Sequence, residues 1–190
     1  MEATTSNYHQ SKSQISKEEF ILKKAMKTPS EFAPIYDKYY LQIFKYTLQR
    51  VNNEQAASEI VSDVFAKAIY NLPKYKFKGY PFSAWLYRVA YNEIANRHRY
   101  NKAVRTVNIP IESLPDFKES PDHEEDFISM AKMKTALGLL KPNDIEFIEL
   151  RFFEQRSFKE IGEILEITTD NARVKTHRAL TKLKKLFKKK

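Results

Sequence analysis

The side chains in this chain that could do chemistry are cationic, amide-bearing and aromatic rather than nucleophilic, and they fall into two clusters. The first lies in residues 157–187. Ser157 and Glu160, three residues apart, form a capping box that predicts a helix from Phe158, with Phe158, Ile161 and Leu165 on one face. Glu166 and Ile167 interrupt that face, and Thr168 or Thr169 can cap a second helix. Ala172, Thr176, Leu180, Leu183 and Phe187 take its inward positions and leave Asn171, Arg173, Lys175 and Arg178 outward. This is the spacing of a helix-turn-helix, in which the first helix braces a second that enters a DNA major groove. Short amides and arginines at the start of that second helix can read base edges, and flanking Lys and Arg can neutralise phosphates. A plain helical hairpin with a solvated face usually mixes its signs, whereas Arg151–Lys190 holds twelve Lys or Arg against five Asp or Glu.

The second cluster lies in residues 71–106. Residues 71–82 contain Pro73, Gly79 and Pro81 and read as a loop. In it Lys74, Lys76 and Lys78 interleave with Tyr75, Phe77 and Tyr80. Aromatics that stack on unpaired bases, with lysines that follow the backbone, would make a single-stranded nucleic-acid surface. Aromatics folded back onto the core are the equal alternative on these residues alone. A helix is predicted from Ser83 to about Asn101, with Trp85, Leu86, Val89, Ala90 and Ile94 inward and Arg88, Tyr91, Asn92, Asn96, Arg97 and Arg99 on the other face. From Leu72 to Thr106 there are eight Lys or Arg against one Glu.

Residue types that would support catalysis are scattered. His9, His98, His123 and His177 lie far apart, no His-Glu-x-x-His pattern occurs, and the chain has no cysteine. Gly79, Gly138 and Gly162 are isolated, which argues against a phosphate-cradling glycine loop. A hydrolytic enzyme such as a nuclease is therefore a poor fit, and no cofactor or metal is predicted.

The elements that must position both clusters are helical. Of the 190 residues 42% are hydrophobic, enough for one medium or two small cores, and the formal charge of +9 points to an anionic partner. Residues 1–16 are polar and predict a disordered tail, and nowhere do eighteen apolar residues run together, so no membrane insertion is expected. Absence of cysteine fits a soluble protein of the reducing cytoplasm. Ser16 and Glu19 offer a capping box for a helix to about Lys27. Phe32, Ile35, Tyr36, Tyr39, Tyr40, Ile43 and Phe44 describe a second, aromatic-faced helix. Asn52 or Asn53 caps a third, from Glu54 to Tyr70, which buries Ile60, Val64, Phe65 and Ala68 and exposes Glu54, Ser58, Glu59, Ser62 and Asp63.

Between the clusters the composition changes sign. Pro110–Asp126 has seven Asp or Glu, one Lys and three prolines, an extended acidic linker. Beyond it, Phe127–Leu140 predicts a helix with Met130, Met133, Leu137 and Leu140 inward, stopped by Pro142. Asn143 or Asp144 restarts one carrying Ile145, Ile148 and Phe152. The predicted fold is all-α, with two small helical domains, 17–106 and 127–190, joined by the linker 107–126.

The chain resembles bacterial RNA polymerase sigma factors of the small two-domain, extracytoplasmic-function (ECF) type within the sigma-70 family, over about residues 28–103 and 127–187. Ala57-Ser-Glu-Ile-Val-Ser-Asp-Val-Phe-Ala-Lys-Ala68 is similar to that family's polymerase-binding region 2.2. Phe82-Ser-Ala-Trp-Leu86, followed by Asn92 and Arg99, is similar to regions 2.3–2.4, and Ser157-Phe-Lys-Glu-Ile-Gly162 through His177-Arg-Ala179 to region 4.2. The resemblance implies a non-enzymatic factor that binds core RNA polymerase and promoter DNA, with an anti-sigma factor as a further partner. It implies that Glu59, Ser62 and Asp63 face the polymerase. Lys76, Lys78, Tyr80, Asn92, Asn96 and Arg97 would lie against the melted −10 element, and Asn171, Arg173, Val174, Lys175 and Arg178 against the −35 duplex. The rival, a conventional helix-turn-helix regulator, would bind duplex DNA unaided and as a dimer. Ser62, Asn96, Glu166 and Thr176 stand where the family usually has glutamine, aspartate, glycine and leucine. If residue 166 is left-handed, Glu costs about 1 kcal/mol relative to Gly.

Overall fold

The computed structural model describes residues 10–101 and 123–188, with side chains described over 10–97 and 131–188. Among the described residues the regular structure is helical. The chain divides into two units, Met1–Thr106 and Val107–Lys190.

In the first unit α1 spans Lys12–Ala25, α2 Ala33–Val51, α3 Glu54–Asn71 and α4 Ser83–Asn101. The capping box that starts α1 is Ser11 with Gln14, not Ser16 with Glu19, so residues predicted as tail are helical from Lys12. Both pairs satisfy the same local pattern, and the choice between them rests on tertiary docking of the helix. A 3₁₀ turn over Pro29–Phe32 leads into α2. Asn52, left-handed at φ 49°, ends α2, and the Asn53 side chain accepts the Ala56 amide to start α3. Asparagine tolerates the first geometry and favours the second.

The core of this unit is built where α2, α3 and α4 meet. Ile35, Tyr39, Ile43 and Tyr46 of α2 are buried, with Ile60, Val61, Val64, Phe65 and Ala68 of α3 and Ala84, Leu86, Tyr87, Ala90 and Ile94 of α4. Phe32 meets Phe65 and Phe82 edge-on, with centroids at 6.4 and 6.0 Å. The aromatic face of α2 is narrower than predicted. Tyr36 is exposed, and Tyr40 and Phe44 are half-buried on its shoulder, because the 35–39–43–46 stripe already fills the seam. Arg50 is buried instead, its guanidinium 3.5 Å from the Tyr46 ring centroid and donating to the Tyr46 carbonyl. The predicted inward positions Trp85 and Val89 are half-buried, and Ala84 and Tyr87 take the deeper places.

In the second unit α5 spans His123–Gly138, α6 Pro142–Ile148, α7 Phe158–Ile164 and α8 Thr169–Lys188. Residues 107–122 of the predicted linker lie outside the described residues. Its last four residues open α5, which begins at His123 rather than Phe127. Met130, predicted inward, has no described side chain, whereas Met133, Leu137 and Leu140 are buried. Pro142 is the first residue of α6 and Lys141 its cap, so the proline starts that helix where Asn143 or Asp144 was predicted to. A π-helical turn over Glu149–Phe153 follows. Its extra residue per turn rotates Phe152 off the buried face of Ile145 and Ile148, leaving it half-buried.

The helix-turn-helix forms as predicted. Glu160 N–H donates to Ser157 Oγ at 3.2 Å, and Ser157 N–H donates back to Glu160 Oε2 at 2.9 Å. Ile161, Gly162 and Ile164 are buried, with Leu165 half-buried at the helix end. On α8 Ala172, Thr176, Ala179 and Leu183 are buried, while Leu180 and Phe187 are half-buried. Thr176 satisfies its buried hydroxyl by donating to the Ala172 carbonyl at 2.8 Å.

Glu166 sits in the turn at φ +55°, the left-handed geometry that glycine adopts without steric cost. Glu166→Gly is expected to raise stability by about 0.5–1 kcal/mol, the relief of strain exceeding the added freedom of the unfolded chain. Slower hydrogen exchange of the α7 and α8 amides would register it.

Candidate nucleic-acid interface

The loop between α3 and α4 resolves its two readings residue by residue. Lys76 and Lys78 are exposed, Tyr75 and Phe77 half-buried, and Tyr80 is 9% exposed. Tyr75 packs edge-on against Phe82 at 5.0 Å and tilts against Trp85 at 5.6 Å. The aromatics therefore hold the loop to the unit while the lysines project. Tyr80, predicted against the −10 strand, belongs with the inward aromatics by its burial. Gly79, at φ +75°, makes the bend that separates the exposed lysines from buried Tyr80 and Pro81.

The loop ends where α4 begins, and α4 presents Asn92 and Asn96 one turn apart and exposed. Arg97 is turned aside: its guanidinium pairs with Glu59 of α3 at 2.9 Å. A second pair, Lys67 with Glu93 at 2.6 Å, ties the same two helices. Exposed pairs of this kind contribute only tenths of a kcal/mol. Their consequence is geometric, because Glu59, expected to face polymerase, and Arg97, expected to face DNA, share one contact. Ser62 and Asp63 are exposed beside it, Ser62 Oγ donating to the Ser58 carbonyl at 2.9 Å.

In the second unit Asn171, Arg173, Val174, Lys175 and Arg178 are all exposed on α8, Val174 to 46%. Thr168 Oγ accepts the Asn171 amide at 3.2 Å, fixing the first turn. Arg173 pairs with Asp170 at 3.3 Å, and its guanidinium lies 5.7 Å from the Phe158 ring centroid. Arg151 lies over that same ring at 4.7 Å. Phe158 of the bracing helix thus orients a guanidinium of the presenting helix, a role its apolar periodicity concealed. Lys182 is held by Asp144 at 2.7 Å and adds a further link between α8 and α6.

Among the described residues no group of three His, Cys, Asp or Glu could hold a metal ion. Nor is any helix among them long and apolar enough to cross a membrane.

Residues 35–104 match the Sigma-70 region 2 family and residues 136–185 match Sigma-70, region 4. The chain is similar to the RNA polymerase sigma factor YlaC of Bacillus subtilis (strain 168), with 28% identity over 84% of this chain and 94% of the relative. It is 30% identical to the ECF RNA polymerase sigma factor SigD of Mycobacterium tuberculosis (strain ATCC 25618 / H37Rv), over 75% of this chain and 70% of the relative. Among solved structures its fold is similar to that of the sigma factor RpoE in complex with the anti-sigma factor NepR from Bartonella quintana. That match has a TM-score of 0.57 at 19% identity and covers 83% of this chain and 97% of the other. Two sigma regions in order, each on its own helical unit, and relatives that share most of their length leave one assignment: the chain belongs to the ECF RNA polymerase sigma factors.

Proposed function

We propose that this sigma factor divides promoter recognition between its two units and meets core RNA polymerase through α3. The observation that carries this reading is the segregation within the α3–α4 loop: lysines outward, aromatics inward, leading directly to Asn92 and Asn96 on α4. Lys76 and Lys78 follow the backbone of the melted −10 strand, and Asn92 and Asn96 offer amides to its unpaired bases. Tyr80 supports the loop that carries them. Unstacking a base costs a few kcal/mol, which contacts to the extruded strand offset. Asn171, Arg173, Val174, Lys175 and Arg178 face the −35 major groove. Glu59, Ser62 and Asp63 face polymerase, and release of Glu59 from Arg97 on docking frees that guanidinium for DNA. The polymerase supplies the catalytic chemistry. The site of action is the cytoplasm, and an anti-sigma factor of the kind named with the Bartonella relative is the natural partner holding the free protein inactive. Family membership decides against a duplex-only regulator.

The test is co-elution with bacterial core polymerase followed by initiation from a mixed genomic template. Discrete new start sites are expected only when both proteins are present. Asp63→Lys is expected to weaken co-elution, and unchanged affinity would remove Asp63 from the polymerase surface. Arg173→Ala is expected to lower initiation at −35-dependent starts by about 1–3 kcal/mol of lost discrimination, roughly five- to 150-fold.

A further inference from the structure

We propose that Glu18 of α1 is a positioning residue for promoter opening: its buried carboxylate fixes the point where the lysine-bearing loop becomes α4. The inference rests on the reading of that loop as the −10 surface. Helix α1 lies outside residues 35–104 that match region 2, and nothing in its own sequence suggests a part in DNA handling. Yet Glu18 is 2% exposed, and its two oxygens serve three donors on two other segments. Oε1 accepts the backbone N–H of Phe82, sixty-four residues away. Oε2 accepts the Tyr39 hydroxyl and, at 2.7 Å, the Lys38 ammonium, both on α2.

Phe82 is the last residue before α4, and its ring is where the loop is anchored. It meets Tyr75 at 5.0 Å, Trp85 at 5.3 Å and Phe32 at 6.0 Å. A carboxylate holding the Phe82 amide therefore sets both the start of α4, with Asn92 and Asn96 beyond it, and the near end of the loop that carries Lys76 and Lys78. An anion beside the first turn is also favoured by the helix dipole. The ion pair with the half-exposed Lys38 could be exchanged for apolar packing at little cost. What packing would not supply is a directed bond to one amide. Melting needs the loop and α4 held in register before the strand arrives, since ordering them afterwards would subtract from the contacts made.

Glu18→Met keeps the length of the side chain and removes both acceptors, whereas Glu18→Gln keeps one carbonyl oxygen for Phe82. Each variant is assembled as holoenzyme and assayed on a duplex promoter from the genomic start-site experiment and on the same promoter already unpaired across the −10 element. For Glu18→Met, co-elution with core should be unchanged, opening of the duplex should fall about tenfold or more, and the unpaired template should bring activity back to within about twofold. Glu18→Gln should recover most of the duplex activity. Equal losses on the two templates, or no loss on the duplex, would overturn the proposal. A Lys76→Ala/Lys78→Ala variant separates the two levels. If it opens the duplex normally, the loop reading fails and the role of Glu18 fails with it. If it is impaired while Glu18→Met is not, only the inference about Glu18 is lost. Should Glu18→Met not fold, Tyr39→Phe removes one donor to Oε2 and is expected to give the same template pattern with a loss of about threefold, equal losses again overturning it.

Discussion

Gly162→Ala is expected to disrupt the helix-turn-helix and abolish −35-dependent initiation while leaving association with core polymerase intact. A Cβ at position 162 would sit 2.8 Å from the Ile167 carbonyl oxygen and 3.4 Å from the Thr169 amide nitrogen. Both are backbone atoms of the turn, so no side-chain rotation relieves the contact. The turn is also closed onto this residue, because the Ile167 N–H donates to the Gly162 carbonyl at 2.9 Å. To admit a methyl group, the buried Gly162 of α7 must part from the turn backbone and the start of α8, at a cost of about 1–3 kcal/mol. In a small helical unit of marginal stability that is a large share of the total. It also displaces Asn171 and Arg173, which lie in the first two turns of α8. Gly138→Ala is the control: a Cβ there meets nothing within 4 Å, and roughly neutral behaviour is expected. Hydrogen exchange on α7 and α8 in the two variants, beside core co-elution and −35-dependent transcription, checks the contrast.

How far the fold can be read from sequence follows the distance over which each feature is decided. The Ser157–Glu160 box was legible because both partners lie within one helical turn and the apolar spacing beyond it agrees. At the other end of the chain two boxes met the same local rule, and Ser11–Gln14 forms. Contacts made before Ser16 favour the earlier start, because Gln10, beside the Ser11 cap, bonds to Tyr39 and Lys38 of α2. Glu18 itself is indistinguishable in sequence from an exposed helical acid. Tyr80 could not be assigned either, since alternation of lysine and aromatic residues suits a stacking surface and a loop pinned by its rings equally well. Glu59 and Arg97 were each read correctly as surface charges, but their pairing depends on the crossing of α3 and α4, which no periodicity specifies. The π-turn at Glu149–Phe153 lacks a local signature, and its one-residue offset misplaced Phe152.

Glu160→Ala is expected to destabilise the second unit by about 3–5 kcal/mol, the largest single effect predicted here. Glu160 is buried, and one carboxylate does two jobs. Oε2 accepts the Ser157 amide at 2.9 Å and the Ser157 hydroxyl at 2.8 Å, closing the start of α7, while Oε1 accepts Arg156 Nη1 at 3.3 Å. Arg156 is 1% exposed, so losing this carboxylate removes an anionic partner from a guanidinium that water cannot readily reach. Glu160→Gln separates the two contributions. Glutamine serves a capping box as well as glutamate, so the variant keeps the cap, removes the charge and should fall between Ala and the parent. In a two-unit protein a single unfolding free energy is not defined, and hydrogen exchange on α7 and α8 is the suitable measurement. Protection there should collapse in Glu160→Ala while that of α2 and α3 is unchanged, and −35-dependent starts should be lost with it. Retained protection in α7 would instead mean that the remaining contacts of Arg156 satisfy its charge. The stability of the bracing helix would then lie in its apolar face alone.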